Sequence, residues 1–163
     1  MDGESIEQLT ARVRLLADLD EIESLKARYW RAIDAGRVAD VGACLLAECV
    51  VDYDGVPRCE SREAFLDVVR TASAQPGMFH VHHGHNPAIE FLTSDHAAGT
   101  WEIFYHGIDL HARTIVQMAG TYQDSYTRRE GRWWIATTSM RRRSLLVQHV
   151  DAGGVTFTGV LGR

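Results

Sequence analysis

The chain has 163 residues, 45% of them hydrophobic and 24% charged, with 17 basic against 22 acidic side chains and a formal net charge of −5. That length builds one domain with one core, and the negative balance argues against a nucleic-acid partner, which needs a basic footprint. No apolar run approaches the roughly 20 residues that span a bilayer, the acidic start Met1-Asp2-Gly3-Glu4-Ser5 has no apolar leader, and Cys44, Cys49 and Cys59 lack ligand spacing, so a cytoplasmic protein with reduced thiols and no membrane partner is expected.

Residues 5 to about 18 read as a helix, with Ile6, Leu9, Val13 and Leu16 at helical spacing. Asp20 is placed to cap a second helix, whose stripe is Ile22, Leu25, Tyr29, Ala32 and Ile33 and whose stop is Gly36. Asp34 falls in its last turn, against the negative end of the helix dipole. It is either a turn-forming residue of Asp34-Ala35-Gly36 or a carboxylate held inward to meet a cation or a proton. Val38 to Leu46 reads as a short helix and Cys49 to Tyr53 as a short strand closed by Asp54-Gly55. Ser61 caps a helix that packs Phe65, Leu66, Val68 and Val69 and breaks at Gln75-Pro76-Gly77.

The pattern then turns to strands. Four of the eight histidines fall within Phe79-His80-Val81-His82-His83-Gly84-His85. On a strand, His80 and His82 share one face and His83 and His85 the other. An imidazole facing a pocket is suited to proton transfer near neutral pH. His96 to Tyr105 follows with Trp101, Ile103 and Tyr105 on one face, then Arg113 to Arg128, then a strand from Gly131-Arg132-Trp133 through Arg143. Arg128-Arg129-Glu130-Gly131 reads as a solvated hairpin turn. Residues 150–163 read as a glycine-rich tail that packs on this or a neighbouring subunit, within a single domain covering 1–163. The class is α+β: a curved, mostly antiparallel sheet wrapped by N-terminal helices around a blind pocket, which suits a small apolar ligand.

Three stretches carry a family resemblance: Tyr29-Trp30-Arg31-Ala32-Ile33-Asp34, then His82-His83-Gly84-His85-Asn86-Pro87-Ala88-Ile89-Glu90, then Gly131-Arg132-Trp133-Trp134, with Arg142 beyond them. With them the chain resembles the SnoaL-like group of the nuclear transport factor 2-like superfamily over roughly residues 8–148. Within that group it resembles the bile-acid 7α-dehydratase, scytalone dehydratase and hexachlorocyclohexane dehydrochlorinase branches. The resemblance implies a cone-shaped α+β barrel and a homo-oligomer, a trimer ahead of a dimer. It also implies a lyase without metal or organic cofactor. It pairs His82 with Asp34, gives Tyr29 a part in substrate polarisation, and matches Arg142 to a site arginine and Tyr53 to a pocket tyrosine. Where the bile-acid enzyme has a further acid, this chain has Tyr105.

The expected chemistry is elimination on a small cyclic or polycyclic hydroxy-compound. His82 removes a proton from carbon, Asp34 orients the imidazole, and a tyrosine or Arg142 steadies developing negative charge. Trp101, Ile103, Tyr105, Met118 and Tyr122 are the expected pocket walls. An isomerase or cyclase could use the same base, and a binding protein could use the pocket alone. A metal site at His83, His85 and Glu90, completed by His106 or His111, is the other alternative.

Overall fold

A computed structural model describes residues 5–161. Its order is α1 (Ile6–Asp34), α2 (Val38–Gly42), β1 (Leu45–Tyr53), α3 (Arg62–Ser73), β2 (Met78–Phe91), β3 (His96–Asp109), β4 (Thr114–Arg129), β5 (Arg132–Asp151) and β6 (Gly154–Leu161). The α+β class holds. Six strands form a curved, unclosed sheet in the order β1-β5-β4-β3-β2, with β6 added to β5, and every pairing is antiparallel except β1 with β5.

The two helices expected before residue 36 are one helix of 29 residues. No Gly or Pro interrupts Leu16-Ala17-Asp18-Leu19-Asp20, so nothing stops the helix there. Ser5 caps its start in a reciprocal box with Gln8. The expected stripe of its first half is not core: Ile6, Leu9, Val13 and Leu16 are all exposed, and burial begins at Ile22. Val38 to Leu46 is not one helix either. α2 ends at Gly42, and Leu45 already pairs in register with Ile135 of β5. Burial on the sheet takes Leu45 and Leu46 from a helical pattern that α2 is too short to sustain.

The last part of the chain forms a longer hairpin than expected. β5 runs past Arg143 to Asp151, and residues 154–161 return along it as β6; residues 162 and 163 of the expected tail lie outside the described residues. The turn at Glu130-Gly131 has two successive positive φ values, 53° and 77°, as a two-residue hairpin of twisted strands requires. Arg128, expected to be solvated with it, instead ion-pairs with Asp18 of α1 and stacks on Trp133 at 4.7 Å.

The core lies between α1, α3 and one face of the sheet. Trp30 meets Trp101 and Tyr122 edge-on at 5.4 and 5.9 Å, and Phe65 of α3 meets Tyr53 at 5.8 Å. Among the described residues no helix is long and apolar enough to cross a membrane.

Candidate active site

α1 docks on β2 through two contacts one helical turn apart. Trp30 and Asp34 share a helix face because they are four residues apart. His82 and Gly84 share a strand face because they are two apart. Trp30 sits on Gly84, where an added β-carbon would lie 1.9 Å from the indole ring. The next turn then brings Asp34 onto His82. Its Oδ2 accepts from the His82 backbone N–H at 3.0 Å, and its Oδ1 lies 2.5 Å from Nδ1 of the ring.

The electrostatics follow from that geometry. Partial burial raises the Asp34 carboxyl, but the ring and backbone bonds from His82 outweigh it, so Asp34 ionises below the usual carboxylate range. An ionised Asp34 only accepts, so the tautomer that fits carries its proton on Nδ1 and turns Nε2 away from Asp34. The imidazole and carboxylate are 14% and 21% exposed, which leaves them shielded but reachable.

His82 opens into a cavity of about 390 Å³ between α1, α3 and the sheet. The sheet side is a cross-strand row. His82 is in register with Tyr105, Tyr105 with Met118, and Met118 with Leu145. The His82 and Tyr105 rings are 5.0 Å apart. Ile33, Val56, Phe65, Val68 and Val69 supply apolar wall, while Asp54, Gly55 and Arg142 form the rim. This size accepts a small ring system, and the balance of wall to polar groups suits a largely apolar one.

Most of the expected site residues meet here. Tyr29, Tyr53, His82, Tyr105, Met118, Tyr122 and Arg142 all line the cavity, with Asp34 directly behind His82. Trp101 and Ile103 do not line it. They share Tyr105's strand face, but Ile103 falls in the row of Gly84 and Gly120, and Trp101 turns its edge to Trp30 and donates to Tyr126 at 2.9 Å. Both are core because α1 covers that end of the sheet. Arg141 pairs with Asp52 at 2.5 Å and Arg143 with Glu102 at 3.4 Å, whereas the Arg142 guanidinium has no such partner among the described residues. His83 and His85 are exposed on the opposite face of β2, and among the described residues no three His, Cys, Asp or Glu side chains cluster as a metal site.

Two features go beyond the expected site: His80, placed by sequence on His82's face but not among the site residues, and a buried ion pair. His80 lines the cavity, its ring 6.3 Å from that of His82 and 6.4 Å from that of Tyr105. Its shared parity with His82 was the available signal. Beneath the cavity lies a buried ion pair, Lys26 Nζ to Asp124 Oδ2 at 2.7 Å, with both side chains fully buried. Lys26 stands four residues before Trp30 on the buried helix face, and Asp124 alternates inward with Tyr122 and Tyr126. A charge at each of two core positions was the signal.

A curved, unclosed sheet covered by N-terminal helices is the architecture of the nuclear transport factor 2-like class. The model of the SnoaL-like domain matches residues 14–139. The chain belongs to the SnoaL-like domain family. A candidate scytalone dehydratase from Novosphingobium aromaticivorans is similar in structure with TM-score 0.76 at 18% identity, covering 82% of this chain and 89% of that one. The hexachlorocyclohexane dehydrochlorinase LinA-type3 from Novosphingobium barchaimii gives 0.74 at 20% identity, covering 93% and 96%. A Mycobacterium tuberculosis protein of unknown function gives 0.65 at 20%, covering 86% and 76%. At these identities the likeness concerns the fold.

Proposed function

We propose that the protein is a cofactor-independent lyase, dehydratase-like in its chemistry, acting on a small cyclic or polycyclic hydroxy-compound. The observation that carries this reading is the His82 Nδ1–Asp34 contact at 2.5 Å beside an apolar cavity. Nε2 of His82 takes a proton from a carbon next to an activating group. The electron pair forms the double bond, and the group on the adjacent carbon leaves. Asp34 stabilises the imidazolium that results. A base held this way contributes roughly a hundred- to ten-thousand-fold in rate.

Tyr29, Tyr105 and Arg142 are the donors for negative charge developing on a carbonyl or leaving oxygen. His80, beside both His82 and Tyr105, is the group in this reading that hands a proton to the leaving oxygen. Assembly as a homo-oligomer, for which the family resemblance puts a trimer ahead of a dimer, is supported by exposed apolar side chains that stand between His83, His85 and Glu102 on the outer face of β2 and β3. There Phe79, Val81 and Phe104 are exposed.

An isomerase using the same base is the second reading. It is favoured by Tyr105 in the row beside His82, a phenol able to polarise a carbonyl without any leaving group. The test is turnover on bicyclic β-hydroxy ketones, chlorinated cyclohexanes and β,γ-unsaturated ketones, for wild type, His82→Ala and Asp34→Asn. Elimination products from wild type alone support the lyase. Conjugated isomers alone support the isomerase. Turnover retained in both variants removes the pair from the mechanism, and binding without turnover of any class leaves a ligand-binding protein.

A further inference from the structure

The hydroxyls of the cavity floor continue downward as one hydrogen-bonded chain. Tyr29 Oη is 2.7 Å from Tyr53 Oη, Tyr53 Oη is 3.0 Å from Thr138 Oγ1, and Lys26 Nζ is 3.4 Å from Thr138 Oγ1. Each hydroxyl carries one proton, so the direction of such a chain is undecided until one end is fixed. Lys26 is the fixed end. An ammonium donates and does not accept. Burial lowers the Lys26 pKa from its usual value; opposing that loss of charge are Asp124 at 2.7 Å and the rings of Tyr122, Tyr29 and Trp30, at 4.1, 5.1 and 5.2 Å from Nζ, which hold Nζ as an ammonium paired with a carboxylate.

Among the described residues Tyr53 Oη is the one acceptor within reach of the buried Thr138 hydroxyl, so Thr138 accepts from Lys26 and gives its single proton to Tyr53, and Tyr53 in turn donates to Tyr29. The Tyr29 proton is then the one left over, and Tyr29 lines the cavity. We infer that Lys26 is a positioning residue that acts through Thr138 and Tyr53 to turn the Tyr29 O–H into the cavity as a donor for a ligand's carbonyl or ether oxygen. The floor thus selects ligands that present an acceptor, not a hydroxyl proton, to Tyr29. Chains of this kind strengthen their terminal donor because each bond polarises the next. The inference rests on the cavity of the proposed lyase but not on its base.

The test uses 1-tetralone, a bicyclic ketone that accepts hydrogen bonds and has no leaving group, so it reads the floor even if the elimination reading fails. Infrared difference spectra of the bound ketone are expected to show its C=O stretch shifted to lower frequency than in hexane. Tyr29→Phe is expected to abolish the shift. Thr138→Val keeps the buried volume but frees Tyr53 and Tyr29 to reverse. It is expected to diminish the shift and weaken binding roughly two- to tenfold, one hydrogen bond's worth. Thr138→Ser restores the link and is expected to restore both readouts. If Thr138→Val does not fold, Thr138→Ala makes the same cut with less bulk. The inference is overturned if wild type leaves tetralone unbound or its stretch unshifted, or if removal of the Thr138 hydroxyl leaves the shift intact.

Discussion

Trp30 lies so close over Gly84 that no β-carbon fits between them, and this contact sets the register in which Asp34 meets His82. The added carbon of alanine would meet Cη2 and Cζ3 of the indole at 1.9 and 2.0 Å. Trp30 is itself wedged against Trp101 and Tyr122, so it has nowhere to retreat. Gly84→Ala is expected to destabilise the protein by about 1–3 kcal/mol or more, as overpacking does. It should also lift the end of α1 and lower activity beyond the loss of folded protein. Thermal denaturation with activity per folded molecule checks both. A variant as stable and active as wild type would show that the helix is not registered there.

That pair explains what could be read from the sequence. The strand parity of His80, His82, His83 and His85 follows from a period of two, and the structure keeps it. Asp34 at the wrong end of a helix dipole left two readings open, a turn former or an inward carboxylate, and it was the family resemblance that paired it with His82. What could not be read was the rotation and depth of α1 on the sheet. Trp101 and Ile103 share a face with Tyr105, and only the path of the helix decides which of them is roofed by Trp30 and which faces the cavity. The exposed apolar stripe from Ile6 to Leu16 misled for a similar reason. Periodicity marks a face but says nothing about whether this chain covers it.

Asp34 predicts a pH dependence of stability. Its carboxyl ionises more readily in the folded protein than in the unfolded chain. A group with a depressed folded pKa contributes stability above its unfolded value, about 3.9, and that contribution is lost as pH falls through the folded value. Wild type is therefore expected to exceed Asp34→Asn in stability at neutral pH, with the gap closing in the acid range below about pH 4. Partial exposure of the pair keeps the gap modest. Urea denaturation of both proteins between neutral and acid pH measures it. A gap that widens on acidification would contradict the ionised Asp34 described above.

The three cysteines predict a reactivity pattern. All are buried, and burial pushes each thiol up, Cys49 to about 12. The thiolate is the reactive species, so native protein at neutral pH is expected to react negligibly with Ellman's reagent and to release three equivalents after unfolding. Fast labelling of a native thiol would mean that Cys44 or Cys59, nearer the surface than Cys49, opens locally.

The Lys26–Asp124 pair predicts an asymmetry between single and double replacements. Both side chains are fully buried, and Asp124 also accepts from the Tyr126 hydroxyl at 2.7 Å. Lys26→Met leaves a carboxylate in the core without its counter-charge, an uncompensated loss of about 3–5 kcal/mol. Adding Asp124→Asn removes that charge while keeping an oxygen for Tyr126, so the double variant is expected to regain about half of the loss or more, within the range over which buried pairs can be replaced. Equilibrium urea denaturation of the four proteins closes the cycle. Additive losses would mean that the two charges do not depend on each other. The double variant also separates support from orientation. It restores the core without restoring a fixed donor below Thr138, so recovered stability with a weakened tetralone shift is the combination expected if Lys26 aims the hydroxyl chain as well as neutralising Asp124.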